Sequence, residues 1–434
     1  MKYKNLLRAL RHRNYKLFFS GQLVSLIGTW MQSLAMGWLV YRMTNSALML
    51  GVVGFSSQIP TFFISPFAGV FLDRWNKHKT IVITQILSMV QAFMLAYLVL
   101  SGGIQVWHIV LLNVFIGLVN GFDIPARQSF IVEMIEDRSD LGNAIALNSS
   151  MFNAARLIGP SIAGLLIAAV GEGTCFLINA ISYIAVIISL LAMRINYVKY
   201  SQQDKHVLAG LKQGIKYAWR FIPIRTILLM IAMLSLAGMP YTILMPVFAR
   251  EILKGGAHTL GFLVGAIGVG ALCGALYLAS RKTVRGLGKI ISTAAVLFGV
   301  SLIIFSFSHN LIFSLVMLVV TGMSMMIHMA SCNTILQTIV DDKMRGRVMS
   351  YYTMAFMGMT PFGSLIFGGL ASQIGAPHTL IFGGGFCLVA GLIFAYKLPI
   401  FKTLIRPVYR DKGIIPEIAK GIQSTSNLRT PPQN

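Results

Sequence analysis

The sequence predicts an all-α membrane protein with twelve transmembrane helices in two six-helix halves and both termini cytoplasmic. Three observations carry that prediction. The chain of 434 residues is 56% hydrophobic and only 11% charged, whereas a soluble domain is roughly a quarter charged. Its 36 Lys and Arg, against 13 Asp and Glu for a formal charge of +23, fall almost entirely into alternate gaps between apolar segments. The chain also aligns with itself at an offset of 204 residues.

A membrane span needs about 20 mostly apolar residues. Twelve segments qualify: 15–41, 47–71, 80–100, 107–130, 142–170, 173–193, 225–249, 258–279, 288–308, 311–339, 346–374 and 378–398. They must be helical, because an open strand or loop cannot satisfy its backbone hydrogen bonds in lipid. Thirty-two of the 36 basic residues lie at the N-terminus, in 72–79, 127–141, 194–225, 280–289 and 341–347, and from Lys397 onward. The opposite gaps hold Arg42, Arg250 and Lys254, and one residue, Arg156, lies within a span. The positive-inside rule then makes both termini cytoplasmic and the number of spans even. Basic residues spread over many short loops, and not gathered into one stripe, argue against a nucleic-acid partner. The expected partners are the lipid bilayer and a small-molecule substrate, with the chain acting as a monomer. The first apolar segment, about 25 residues long, exceeds the roughly 7–15 of a signal-peptide core, so no cleaved leader is expected.

The longest internal connection divides the chain into an N-terminal half (1–193), a linker (194–224), a C-terminal half (225–398) and a tail (399–434) whose Pro, Ser, Thr and Asn content reads as flexible. In the linker, Leu208, Leu211, Ile215, Trp219 and Ile222 recur at helical spacing, with Lys205, Lys212, Lys216 and Arg220 on other faces. This is the pattern of an amphipathic helix at the membrane surface. The 204-residue offset aligns Ile131 with Ile335, Asp137 with Asp341, Gly142 with Gly346, Gly159 with Gly363, Gly164 with Gly368 and Gly171 with Gly375. Two similar bundles rocking about a shared site give alternating access, so the repeat favours a secondary transporter. The four cysteines, Cys175, Cys273, Cys332 and Cys387, lie in or at the edges of spans without metal-ligand spacing. No cluster of His, Asp, Glu or Cys suggests an enzyme, a metal site or a bound cofactor.

The second and third spans are joined by Gly69-Val-Phe-Leu-Asp73-Arg74-Trp-Asn-Lys77-His-Lys79. This resembles the cytoplasmic-loop signature of the major facilitator superfamily. The resemblance implies a conformational latch in which Asp73 accepts hydrogen bonds at a neighbouring helix N-terminus, here near Arg345 to Tyr351, while Arg74, Lys77 and Lys79 hold acidic partners. The corresponding loop in the second half, Ser280-Arg281-Lys282-Thr-Val-Arg285, lacks the Asp. Further segments, including Trp30-Met-Gln32, Asn45-Ser46-Ala47, Asn153-Ala-Ala-Arg156-Leu-Ile-Gly159-Pro160, Gly210-Leu-Lys-Gln-Gly214 and Arg345-Gly-Arg347-Val-Met, resemble the enterobactin-exporter and macrolide-efflux branch of that superfamily over residues 10–398. That branch implies a proton-coupled exporter in a bacterial inner membrane, with the proton gradient as its energy source. Gly159, Pro160 and Gly164 resemble the family's antiporter motif, which bends and packs the fifth helix; Pro361 is expected to bend the eleventh.

Arg156 lies near the bilayer middle, where a charge is costly and faces a cavity or a partner. Two readings stand: it attracts an anionic or accepting group of the substrate, or it bonds carbonyls within the bundle. Asp123 is the acidic residue inside a span, on a stripe with Asn113, Gly117, Asn120 and Arg127. It reads as a latch residue paired with Arg127 or with Arg74 and Lys77, or as a proton carrier. Polar stripes sketch a pathway, to which Asn120 and Asn153 are added: Gln22, Ser25, Thr29 and Gln32; Asn148, Phe152 and Arg156; Ser324, His328 and Cys332; Tyr352, Phe356 and Thr360. An uptake permease and a non-transporting sensor with a transporter fold are the alternatives to export.

Overall fold

The computed structural model describes residues 7–72, 75–195, 207–281, 283–412 and 414, with the side chains at 66, 69, 70, 207–212, 342 and 343 outside the description. Within it, the twelve spans are Arg13–Thr44, Ala47–Leu72, Lys77–Leu100, Val106–Met134, Leu141–Val170, Glu172–Leu191, Ile222–Ile252, Ala257–Ala279, Leu287–Ser306, Leu311–Ile339, a pair of segments Asp342–Met357 and Met359–Ile374, and Ala376–Asp411. A further helix, Val207–Arg220, precedes the seventh span.

Both described ends lie on one side of the bundle, called here the basic side. The N-terminus is tied there by His12 Nε2 against Asp140 Oδ2 at 3.2 Å and by Asn14 Nδ2 donating to the Arg194 carbonyl at 2.8 Å. At the other end of the chain, Lys412 Nζ donates to the Val340 carbonyl at 3.4 Å. Between the fourth and fifth spans, Asp137 accepts from the Ser139 amide, which holds its carboxyl below the usual carboxylate range. On the distal side, Arg42 forms a bidentate pair with Glu172 at 2.7 and 3.3 Å.

The repeat is visible in the backbone. The fifth and eleventh spans both end at a glycine of positive φ, Gly171 at 81° and Gly375 at 84°, each donating its amide to the carbonyl four residues back. Only glycine adopts that conformation at low cost. The seventh span is not a uniform helix. Pro240 and Pro246 lack amide donors, and the chain passes through π-helix at Leu234–Gly238, 3-10 helix at Met239–Leu244 and π-helix again at Phe248–Ile252. The eleventh span breaks at Gly358, against the ring of Phe62, and restarts two residues before Pro361. Its expected bend therefore falls just ahead of the proline, where residues preceding Pro leave the α region.

The twelfth helix corrects the expected boundary of the tail. It continues past 398 to Asp411, because Leu398, Phe401, Ile405 and Tyr409 form a buried stripe that repays its folding against the bundle. Residues 415–434 lie outside the description. In the linker helix, Gly214 faces the eleventh span and Ala218 is buried, while Ile215 and Trp219 are exposed. The Tyr217 hydroxyl donates to Asp341 at 3.0 Å, and burial raises that phenol above its ordinary range. Among the linker residues named from sequence, Lys205 and the side chains of Leu208, Leu211 and Lys212 lie outside the described part.

Candidate functional site at the boundary between the halves

The halves meet through two glycine crossings related by the repeat. In one, the fifth span crosses the eighth: a Cβ on Gly164 would lie 2.7 Å from Gly261 Cα and 2.9 Å from the Ala257 carbonyl. In the other, the second span crosses the eleventh: a Cβ on Gly368 would lie 2.8 Å from both Gly51 Cα and the Ala47 carbonyl. Gly164 and Gly368 are equivalent at the 204-residue offset. Small residues permit this backbone approach. Both crossings lie toward the distal side, where Arg250 Nη1 also donates to Asn45 Oδ1 at 2.9 Å across the boundary. The rings of Phe55 and Phe62 pack on Phe362 with centroids 6.0 and 6.4 Å apart. The halves are thus closed against each other distally.

Arg156 sits half way along the fifth span, one turn before Pro160. Its guanidinium lies over the Trp30 ring at 5.7 Å, and Trp30 is packed edge-on against Phe152, centroids 5.7 Å apart. A Cβ on Gly159 would meet Trp30 Cβ at 2.6 Å, so this glycine seats the tryptophan under the arginine. Within the described residues no carboxylate lies within 4 Å of Arg156. In the other half, Tyr241 of the seventh span packs its ring edge-on against Phe298 of the ninth, centroids 5.9 Å apart. Its side chain is 1% exposed and its hydroxyl has no hydrogen-bond partner. Tyr241 sits where the seventh span is irregular. Such irregular backbone marks functional positions in membrane helices.

Other pathway residues are placed differently. Gln32 accepts from Asn179 at 2.8 Å and donates to Gln91 at 3.0 Å, so it ties the first, third and sixth spans together inside one half. Thr29 donates to the Ser25 carbonyl and lies 3.5 Å from the Tyr183 hydroxyl. The structure corrects the reading of His328. It is fully buried, with Nδ1 3.1 Å from the Ile291 carbonyl and Nε2 3.6 Å from Cys332 Sγ, so both ring nitrogens bind the ninth and tenth spans and none faces a pathway. Tyr352 donates to the Met329 carbonyl at 3.3 Å, and Phe356 packs on a hydrophobic core that runs through both halves. Asn153 donates to the Ser149 carbonyl of its own helix at 2.9 Å. Asn120 and Asn148 are half-buried, with no side-chain hydrogen bond among the described residues. Pro160 and Pro361 are both buried, and the Pro160 carbonyl lies at the crossing with Gly261.

Of the latch set, Asp73 and Arg74 and the surroundings of Gly69 lie outside the description. Lys77 Nζ lies 2.7 Å from Glu133, and Lys79 is exposed, its amide donating to the Asn76 cap. Trp75 stacks on Phe122 at 6.0 Å. Asp123 is 2% exposed, its Oδ2 2.5 Å from Arg127 and its Oδ1 accepting from Thr84 at 2.7 Å and Gln85 at 2.9 Å. A buried charge needs this degree of pairing.

A family model described as transmembrane secretion effector matches residues 5–410. The chain is 25% identical over 382 residues to the staphyloferrin A transporter of Staphylococcus aureus, covering 88% of this chain and 95% of that one. It is 24% identical over 355 residues to the multidrug efflux pump Tap of Mycolicibacterium fortuitum, covering 80% and 86%. Macrolide efflux protein A of Streptococcus pyogenes is 18% identical over 391 residues, covering 88% and 96%. Among solved structures, an inward-facing, unoccupied bacterial homologue of the lysosomal transporter Spinster superposes with TM-score 0.69 at 12% identity, covering 92% of this chain and 98% of that one. An inward-facing bacterial homologue of ferroportin gives 0.66 at 16% identity, covering 88% and 98%.

Proposed function

Because the chain belongs to the transmembrane secretion effector family of the major facilitator superfamily, and is therefore a multi-pass membrane transporter and not an enzyme, we propose that it exports an amphipathic small molecule across the bacterial inner membrane in exchange for protons. The observation that carries this reading is Arg156 half way along a span, a cation on the aromatic floor of Trp30 and Phe152 with no carboxylate within 4 Å among the described residues. A cation lacking a protein carboxylate is stabilised by an anionic or accepting group on a ligand, and the aromatic rings bind its apolar part. Export and substrate class follow the relatives named for staphyloferrin A, multidrug and macrolide transport. The basic side is then cytoplasmic, and the halves are closed against each other on the far side.

Inverted membrane vesicles with an acid interior test the reading. Proteins of this kind accumulate substrate there, and an uncoupler that collapses the proton gradient is expected to abolish the accumulation. Retention of accumulation after uncoupling would refute proton coupling, and flux only in the opposite direction would identify an uptake permease. A reconstituted, folded protein that moves none of a panel of siderophores and drug-like compounds would favour a sensor.

The Asp73 region is proposed as the latch that stabilises the opposite, cytoplasm-closed state. Asp73→Asn should lower transport several-fold while leaving the amount of folded protein unchanged. Unaltered flux would remove the latch.

A further inference from the structure

Outside the transport boundary, the basic side of the C-terminal half holds a cavity of about 240 Å³. It lies between the loop after the eighth span, the start of the ninth, the end of the tenth and the extension of the twelfth helix beyond residue 398. Its cations are Arg285, Lys402 and Arg406, and Leu287, Ile335 and Ile405 are among its apolar residues. No acidic residue lines it, and within the described residues none of the three cations has a carboxylate within 4 Å.

Three features make this more than a basic surface. Lys402, Arg406 and Arg410 recur at every fourth residue of one helix, an arrangement of like charges that repels itself and costs helix stability. The helix is nevertheless held, because the adjacent stripe of Phe401, Ile405 and Tyr409 is buried. Arg285 is oriented toward the extension by two hydrogen bonds, from Nε at 3.1 Å and Nη2 at 2.5 Å to the Ile414 carbonyl, and its own carbonyl accepts from Arg281 Nη2 at 2.8 Å. Arg281 Nε is buried without a partner beside it. Finally, the same helix is exposed and apolar up to the turn before the cavity, at Ile393, Tyr396 and Ile400, which are 50%, 85% and 61% exposed. A long apolar surface leading to a tyrosine and then to cations is the profile of a helix leaving the hydrocarbon core into the headgroup layer.

From these, we infer that the cavity is a binding site for the phosphodiester headgroup of an anionic phospholipid, with Lys402, Arg406 and Arg285 on the phosphate and the apolar wall against the glycerol and first acyl carbons. A lipid headgroup fits better than a free anion because the wall is apolar and the site opens at the level of the bilayer surface. The bound lipid offsets the repulsion along the extension and holds it on the bundle.

The test uses the purified full-length protein in a neutral detergent. Thermal unfolding and native mass spectrometry are followed on adding phosphatidylglycerol, phosphatidylcholine or glycerol phosphate. Phosphatidylglycerol should raise the melting temperature and remain bound, whereas phosphatidylcholine and glycerol phosphate should do neither. Lys402→Gln with Arg406→Gln should weaken phosphatidylglycerol binding roughly thirtyfold, each cation near an anionic surface contributing about 1 kcal/mol. Arg406→Gln alone, should the pair fail to fold, should weaken it about fivefold. Equal stabilisation by glycerol phosphate would overturn the lipid assignment in favour of a free anion site. Undiminished binding to the variants, or equal binding of phosphatidylcholine, would overturn the site.

Discussion

Gly164→Leu is expected to abolish transport, at least a hundredfold below the parent, without unfolding either half. Its Cβ alone would lie 2.7 Å from Gly261 Cα and 2.9 Å from the Ala257 carbonyl. Those are backbone atoms, which do not step aside as a flexible side chain would, and an added isobutyl group requires the fifth and eighth spans to separate by several ångströms. The separation falls on the contact that closes the distal side, so the protein should be driven into distally open states and unable to return. Gly368→Leu should do the same through the second and eleventh spans, because that crossing is the repeat-related copy. A cysteine at Ser364 reports the change. Ser364 is fully buried beside Gly51 and Gly54, so Ser364→Cys should be unreactive to a membrane-impermeant maleimide in the parent and reactive in the Gly164 variant. Cys273, the exposed native thiol, is replaced by Ser in both. Full transport with Ser364→Cys still protected would show that the crossings are not the distal closure.

Arg156→Ala should lower the flux of an anionic substrate at least a hundredfold and that of a neutral analogue several-fold less. A charge placed half way along a span and without a carboxylate partner among the described residues favours a ligand of opposite sign, and its removal costs most where the substrate carries that sign. Arg156→Lys should restore part of the flux, since the ammonium keeps the charge and a cation–π contact with Trp30 but loses the planar guanidinium geometry. Tyr241→Phe makes the accompanying check. The Tyr241 hydroxyl has no partner to lose, so this variant should fold as the parent does and should raise KM with little change in maximal rate. An equal loss for anionic and neutral substrates in Arg156→Ala would assign the arginine to bundle structure.

Much of this organisation was legible in the chain. The twelve spans, the linker helix and the glycine pairs of the repeat all follow from local rules: a bilayer demands about 20 apolar residues in helical form, and basic loops stay on one side. Arg156 stood out for the same reason, as the basic residue that the sidedness pattern left inside a span. Tyr241 did not stand out, although its place between Pro240 and Pro246 was a signal that the helix would be irregular there.

Partnership was the part that sequence could not supply. Gln32 and His328 have the polarity and helical spacing of pathway residues, yet each is consumed by a neighbour from another helix: Gln32 by Gln91 and Asn179, His328 by the Ile291 carbonyl and Cys332. Likewise the tail was expected to begin at 399, and a stripe buried against the ninth and tenth spans extends the helix to Asp411 instead. Hydropathy and charge act one residue at a time against a uniform solvent, so the sequence by itself determined the spans, their sidedness and the duplicated plan. Which buried polar group is already satisfied depends on atoms tens to hundreds of residues away, so only the tertiary structure separated the ties that hold each half from Arg156, which no carboxylate among the described residues neutralises.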